Sequence, residues 1–209
     1  MMVSARLACL SVTAALVGVA PVARAQTPPP SGAFEINRSA SLVGFTISGS
    51  MLFKVTHDGR FNDFTGTVEY DPFHPADTQV DLTVFTASVD TKDAKDDALL
   101  RSRDFFDVER FPTMHFVSAS TRATPDGTFA VTGDMTIRGV TKRMTIPVRF
   151  RPDRQAGNPS GGVFESTFEI DRTEFGLNGV PKWNGFKVSI SKNVQIHLAI
   201  ATTVASPPR

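Results

Sequence analysis

Val131–Phe150, VTGDMTIRGVTKRMTIPVRF, alternates bulky and polar side chains on either side of Arg138-Gly139. Val131, Met135 and Ile137 share one side of the first run, with Gly133 at the gap. Met144, Ile146, Val148 and Phe150 share one side of the second. Thr132, Asp134, Thr136, Arg143, Thr145 and Arg149 point the other way. An extended chain sends successive side chains to opposite faces, so a period of two reads as strand. Gly139 supplies the positive φ that a tight hairpin turn needs. Arg138 suits a type I′ turn poorly, so the turn type stays open. The stretch is an antiparallel hairpin with one apolar face.

The same period recurs outward from it. Phe34–Ile36 and Leu42–Ile47 form a first strand, Met51–Thr56 a second, and Phe64–Tyr70 a third after a polar turn at His57-Asp58-Gly59. Asp71-Pro72 stops that strand, and Thr78–Val89 alternates again with Val80, Leu82 and Val84 on one side. Asp93–Asp107 changes the period: Ala94, Ala98, Leu99, Phe105 and Phe106 fall at helical spacing. Asp93 is placed as N-cap, and Asp96 and Asp97 lie in the first turn. Pro112 ends this segment, and Thr113–Thr124 returns to strand. Gln155–Gly162 reads as a loop, Val163–Asp171 and Asn193–Ala201 as strands, and Arg172–Gly185 as irregular. About eight strands in hairpin sequence with one short helical insertion make an all-β, antiparallel architecture. A sandwich and a closed barrel satisfy this pattern equally.

Residues 1–25 read as a secretory signal peptide. Arg6 supplies the positive start, Leu7–Val19 the apolar run, and Ala23-Arg24-Ala25 the cleavage site, with the cut after Ala25. The apolar run is too short to span a membrane, so the mature chain has no integral membrane segment and belongs in the periplasm or outside the cell. Residues 26–33 form a Pro-rich linker, 34–204 one domain and 205–209 a disordered tail. Cleavage removes Cys9, the single cysteine, so the domain holds together without disulfides. It also removes Arg6 and Arg24, leaving the basic residues one short of the 21 acidic ones. Such balance gives nucleic acid nothing to bind. Seventeen Phe stand against one Trp and one Tyr, which serves either a Phe-rich core or a wall of rings around an apolar ligand.

Three segments carry a resemblance. GDMTIRGVTKRMTIPVRF, LRSRDFFDVERFPTMHF (Leu100–Phe116) and FEIDRTEFGLN (Phe168–Asn178) stand in the order found in the YceI-like, polyisoprenoid-binding proteins, which the chain resembles from about Phe34 to Thr203. Asp96, Asp97 and Leu99 depart from that family's pattern ahead of its Leu-Arg-Ser, as does Ser48-Gly49 in the first strand. The resemblance implies a lipocalin-like, extended antiparallel β-barrel whose interior holds a polyprenyl chain or a quinone-like molecule. It brings no metal, cofactor or catalytic residue, so the expectation is a carrier and not an enzyme. The bound ligand would be an isoprenoid or other long-chain amphiphile, and a homodimer is kept open as a partner.

Inward positions for such a ligand are Phe45, Ile47, Val84, Phe116, Met135, Met144, Ile146, Phe168, Ile196 and Leu198; core packing explains any one of them equally well. Arg172, Phe175 and Trp183 are candidates for the mouth or the head group, although for Arg172 the favoured reading is that it pins a loop. Arg101 and Asp104 read as a surface ion pair. His57, His74, His115 and His197 lack metal-ligand spacing, and no nucleophile elbow frames Ser102, Ser118 or Ser120. Two alternatives remain: a solidly packed barrel that binds another protein, and a lipid-modifying enzyme.

Overall fold

A computed structural model describes residues 32–50, 54–71, 74–152, 161–183 and 186–204. The signal peptide, most of the linker, the tail, Met51–Phe53 and most of the expected 155–162 loop lie outside them. The strands are β1 (Gly32–Ile36), β2 (Leu42–Ser50), β3 (Lys54–Phe61), β4 (Phe64–Tyr70), β5 (Gln79–Phe85), β6 (Val89–Asp90), β7 (Thr113–Ala123), β8 (Phe129–Ile137), β9 (Val140–Pro152), β10 (Gly161–Asp171), β11 (Lys182–Trp183), β12 (Phe186–Lys187) and β13 (Ser189–Val204). One helix, α1 (Ala94–Arg101), follows β6. Antiparallel pairing runs β1-β4-β5-β7-β8-β9-β10-β13 and back to β1, which closes a barrel. β2, β3 and β6 prolong β1, β4 and β5 beyond short breaks.

Those breaks lie side by side and are bonded to one another. The Phe85 N–H donates to Asp63 O at 3.0 Å and the Asn62 N–H to Ser88 O at 3.1 Å, while Arg38 pairs with Asp63. Thr86, almost wholly buried, donates its N–H to Pro112 O and its hydroxyl to Phe111 O. The run expected over Thr78–Val89 is therefore two strands with a corner between them.

The opening hairpin forms as its pattern dictates. On its outer face Asp134 and Arg143 make a two-pronged pair at 2.7 and 2.8 Å. Thr132–Thr145 and Thr136–Thr141 are joined by hydroxyl bonds of 2.8 Å. Its turn has φ of 50° at Arg138 and 74° at Gly139, the two positive values of a type I′ turn. Arg138 occupies this unfavoured position because its guanidinium binds two carbonyls, Gly176 O and Arg103 O (2.7 Å to the latter), tying the hairpin tip to neighbouring loops.

Three local expectations are corrected. His57-Asp58-Gly59 is not a turn but the middle of β3, where Asp58 faces Thr46 and accepts its hydroxyl at 2.5 Å. Gly59 is there because the Phe45 ring lies across it and leaves no room for a Cβ. The helix starts at the Asp93 cap, which accepts from Lys95 N and Asp96 N, but ends at Arg101, not Asp107. Ser102 turns its N–H and its hydroxyl onto Leu99 O, a local competition that closes the helix. Phe105 and Phe106 then reach the core from turns. Arg101 does not meet Asp104: it donates to Ala87 O (2.9 Å) and Val89 O (2.6 Å) and lies 3.7 Å from Asp97.

Candidate functional site

The barrel is not filled. A cavity of about 490 Å³ runs inside it, within the range of small-molecule sites. Its walls follow from the period of two, since each strand turns one apolar row inward. β13 gives Ile196, Leu198 and Ile200, β2 gives Phe45 and Ile47, and β5 gives Leu82 and Val84. β7 to β9 add Phe116, Met135 and Ile146, and β10 adds Phe168 and Ile170. Gly133 lets the Phe116 ring lie close against β8.

One end is sealed by rings. Tyr70 packs at a tilt on Phe150, with centroids 4.7 Å apart, and meets Phe164 and Phe129 edge-on at 5.5 and 5.7 Å; Phe150 and Phe164 are 4.7 Å apart. Burial, helped by the charge of Asp71, pushes the Tyr70 phenol above its ordinary value. The described residues leave the other end open. β3 has β2 along one edge, but β6 covers only Arg60 and Phe61 on the other, so Val55 and His57 line the cavity while remaining exposed. Thr91, Asp96, Leu99 and Leu100 from the α1 region and Pro181 and Val188 complete this mouth.

Arg172 also borders the cavity toward the mouth and is only 7% exposed. Its Nε donates to Ser191 O at 2.9 Å, and its Nη1 to Leu177 O and to Gly179 O (3.2 Å to the latter). No carboxylate among the described residues pairs with it. Burial lowers its pKa, and only the neighbouring Asp171 charge opposes that shift. Asp171 is itself occupied by Thr173 and Lys192, which hold its carboxyl down at about 2.

Nine of the ten inward candidates thus line the cavity: Phe45, Ile47, Val84, Phe116, Met135, Ile146, Phe168, Ile196 and Leu198. Met144 is the exception. It faces inward but is taken up by the apolar clusters around Ile137 and Ile146 and does not border the space. Phe175 is no mouth residue, being 2% exposed in the cluster with Ile137, Ile170 and Leu177. Trp183 lies in β11 opposite Phe186 of β12; its side chain is outside the described set. Leu82 was legible, because it shares the parity of Val84. Leu99, Leu100 and Leu177 were not, because their place depends on how the connections fold over the barrel.

The histidines are spread out. His115 meets Asp81 at 2.8 Å, His74 meets Asp71 at 2.9 Å, and His197 contacts Thr46 at 3.3 Å. No metal-holding cluster occurs among the described residues. Ser118 accepts from Val80 N and Ser102 donates to Leu99 O, so both hydroxyls serve the backbone.

Residues 34–202 match the family model of the YceI-like domain. The chain belongs to the YceI-like family. A UPF0312 protein of Ectopseudomonas mendocina is 37% identical over 134 residues, covering 60% of the chain and 69% of that relative. Another from Pseudomonas paraeruginosa is 38% identical over 122 residues, covering 57% and 62%. Among solved structures, BcnA of Burkholderia cenocepacia superposes with a TM-score of 0.68 at 24% identity, over 80% of the chain and 99% of BcnA. A polyisoprenoid binding domain from Saccharophagus degradans, implicated in plant cell wall breakdown, gives 0.62 at 13% identity, over 84% and 100%. At these identities the superpositions speak for the YceI-like barrel alone. No described helix is long and apolar enough to cross a membrane.

Proposed function

We propose that this YceI-like protein is a periplasmic or secreted carrier of a long-chain isoprenoid, polyprenyl or quinone-like, held in the barrel. The observation that carries this reading is the cavity itself: apolar along its length, shut by rings at Tyr70, with polar groups gathered at the mouth. Each buried methylene is worth about 0.8 kcal/mol, so a tail of about fifteen carbons gains on the order of 12 kcal/mol. That is comparable with the roughly 4–15 kcal/mol that association costs. A tail of about this length or longer therefore offsets most of that cost, and several isoprene units extended along β13 supply it. The tail points toward Tyr70. The head stays at the mouth, where the buried, positively charged Arg172 favours an oxygen-bearing group over a cation.

The reading is one of binding without turnover and without a cofactor. The carrier reading is supported by the solved structure named for polyisoprenoid binding, and its location by the leader expected over residues 1–25. Native mass spectrometry of the mature chain from a homologous host, followed by organic extraction, tests it. A species of isoprenoid mass is expected. An unoccupied mass that stays unchanged after incubation with quinones and polyprenyl phosphates would overturn the carrier and favour a module that binds another protein.

A further inference from the structure

Away from the mouth, a long stretch of the described wall between β9 and β10 has no backbone ladder. Their pairing covers only Arg149–Pro152 against Gly162–Glu165. From Val140 to Val148, β9 is held by β8, and from Ser166 to Asp171, β10 is held by β13, but the two are not laddered to each other.

Pro147 stands at the fork. Its carbonyl accepts the Ser166 hydroxyl of β10 at 2.5 Å. The N–H and C=O of a strand residue face the same neighbour. The donor that proline lacks is therefore one that would have faced β10, and the ladder stops there. By the same alternation the N–H groups of Thr141, Arg143 and Thr145 point into the gap.

What spans the gap is weaker than a ladder. Among the described residues its polar contacts are Ser166 to Pro147 and, at the hairpin tip, Lys142 to Glu174 (3.1 Å) and Arg138 to Gly176. The Lys142 pair is half exposed and contributes little. The inward side of the banks is apolar: Ile146, Phe168 and Ile170 border the cavity, and Met144 packs beside them, while Thr141, Arg143, Thr145, Thr167 and Glu169 are exposed on the outer side. Val148 and Ser166 border both the cavity and a shallow groove on the outer surface, so one layer of side chains separates the two.

We propose that this seam is a lateral gate through which the lipid tail passes between cavity and surroundings, separate from the mouth at α1. It rests on the carrier reading. End-on entry would draw an apolar tail past His57, Asp96 and Arg172, whereas the seam offers apolar side chains along the inward side of its banks. Between β8 and β9, or between β10 and β13, the wall opens only by breaking ladder hydrogen bonds. Here it opens by releasing the Ser166 hydroxyl and the Lys142 pair and by moving Met144 and Phe168, and methionine adapts readily to such changes.

The test compares wild type with Pro147→Val and with Pro147→Ala, which restores the same N–H without a branched side chain. Amide exchange without ligand reads the seam directly. Thr141, Arg143 and Thr145 are expected to exchange far faster than the paired amides of β8, and to slow in both variants. Stopped-flow release of a fluorescent farnesyl probe reads the gate. One added ladder bond is expected to slow release about tenfold, with equilibrium affinity changed less than about twofold. Seam amides protected as well as those of β8 in wild type would overturn the gate whatever the probe does. So would slowed exchange with unchanged release. A wild-type protein that binds no probe, nor any other isoprenoid, would overturn the carrier reading and the gate with it.

Discussion

Arg172 and Tyr70 show how one side chain sets the character of each end of the cavity. Arg172 was legible as the one basic residue of FEIDRTEFGLN, and its structural role leaves it beside the cavity. The guanidinium pins Leu177, Gly179 and Ser191 while bordering the space they enclose. Its partners were not legible, since Ser191 is distant in sequence and meets it only once β10 and β13 pair. Tyr70 is the chain's single tyrosine, so its titration can be followed without ambiguity by tyrosinate absorbance. We expect a midpoint above the ordinary 10.0, because burial and the Asp71 charge both disfavour the phenolate. The linked stability is complete below pH 10.0 and is lost as pH rises through the higher folded value, since the unfolded chain releases that proton first. A midpoint at or below 10.0 would show that the ring plug admits water.

The hairpin of β8 and β9 owes its existence to alternation and its placement to two exceptions within that alternation. Gly133 leaves a gap on the inward side, and the Phe116 ring and the Val117 carbonyl approach so closely that a Cβ would collide with both. Gly133→Ala should therefore cost about 1–3 kcal/mol, as overpacking does, with a lowered thermal midpoint. Asp134→Ala on the outer face should cost less than about 1 kcal/mol, because that pair is half exposed. Equal losses from the two would remove the distinction between the faces. Pro147 is the second exception. A proline inside an alternating run is a sequence signal for an edge or a break in a sheet, and here it marks where β9 leaves β10.

For the molecule as a whole, the decisive property is that the inward rows do not meet across the barrel. Leu198, near the middle of β13, borders the cavity from the longest strand. Leu198→Glu places a carboxylate in an apolar enclosure, and binding of a farnesyl probe should fall at least tenfold at neutral pH. Binding should partly return as acidification neutralises the group. Circular dichroism distinguishes this from unfolding, and a folded variant that binds normally would show that the ligand lies elsewhere.

Alternation in the sequence was enough for the strands, their inward rows and the all-β class, because which face a side chain takes depends only on its neighbours along an extended chain. The three motif segments carried the likeness to YceI-like proteins. The resemblance pointed to a barrel, but alternation alone could not distinguish one from a sandwich, because closure is a pairing between β1 and β13, at opposite ends of the domain. Nor could it place the corners at Asn62 and Thr86, the end of α1, or the fate of Met144. Those depend on backbone groups from distant segments that find partners only after the sheet has curved. The cavity is of the same kind. Whether inward rows touch or leave space is set by the barrel's diameter, a property of how many strands close the ring and with what stagger, not of any stretch of chain.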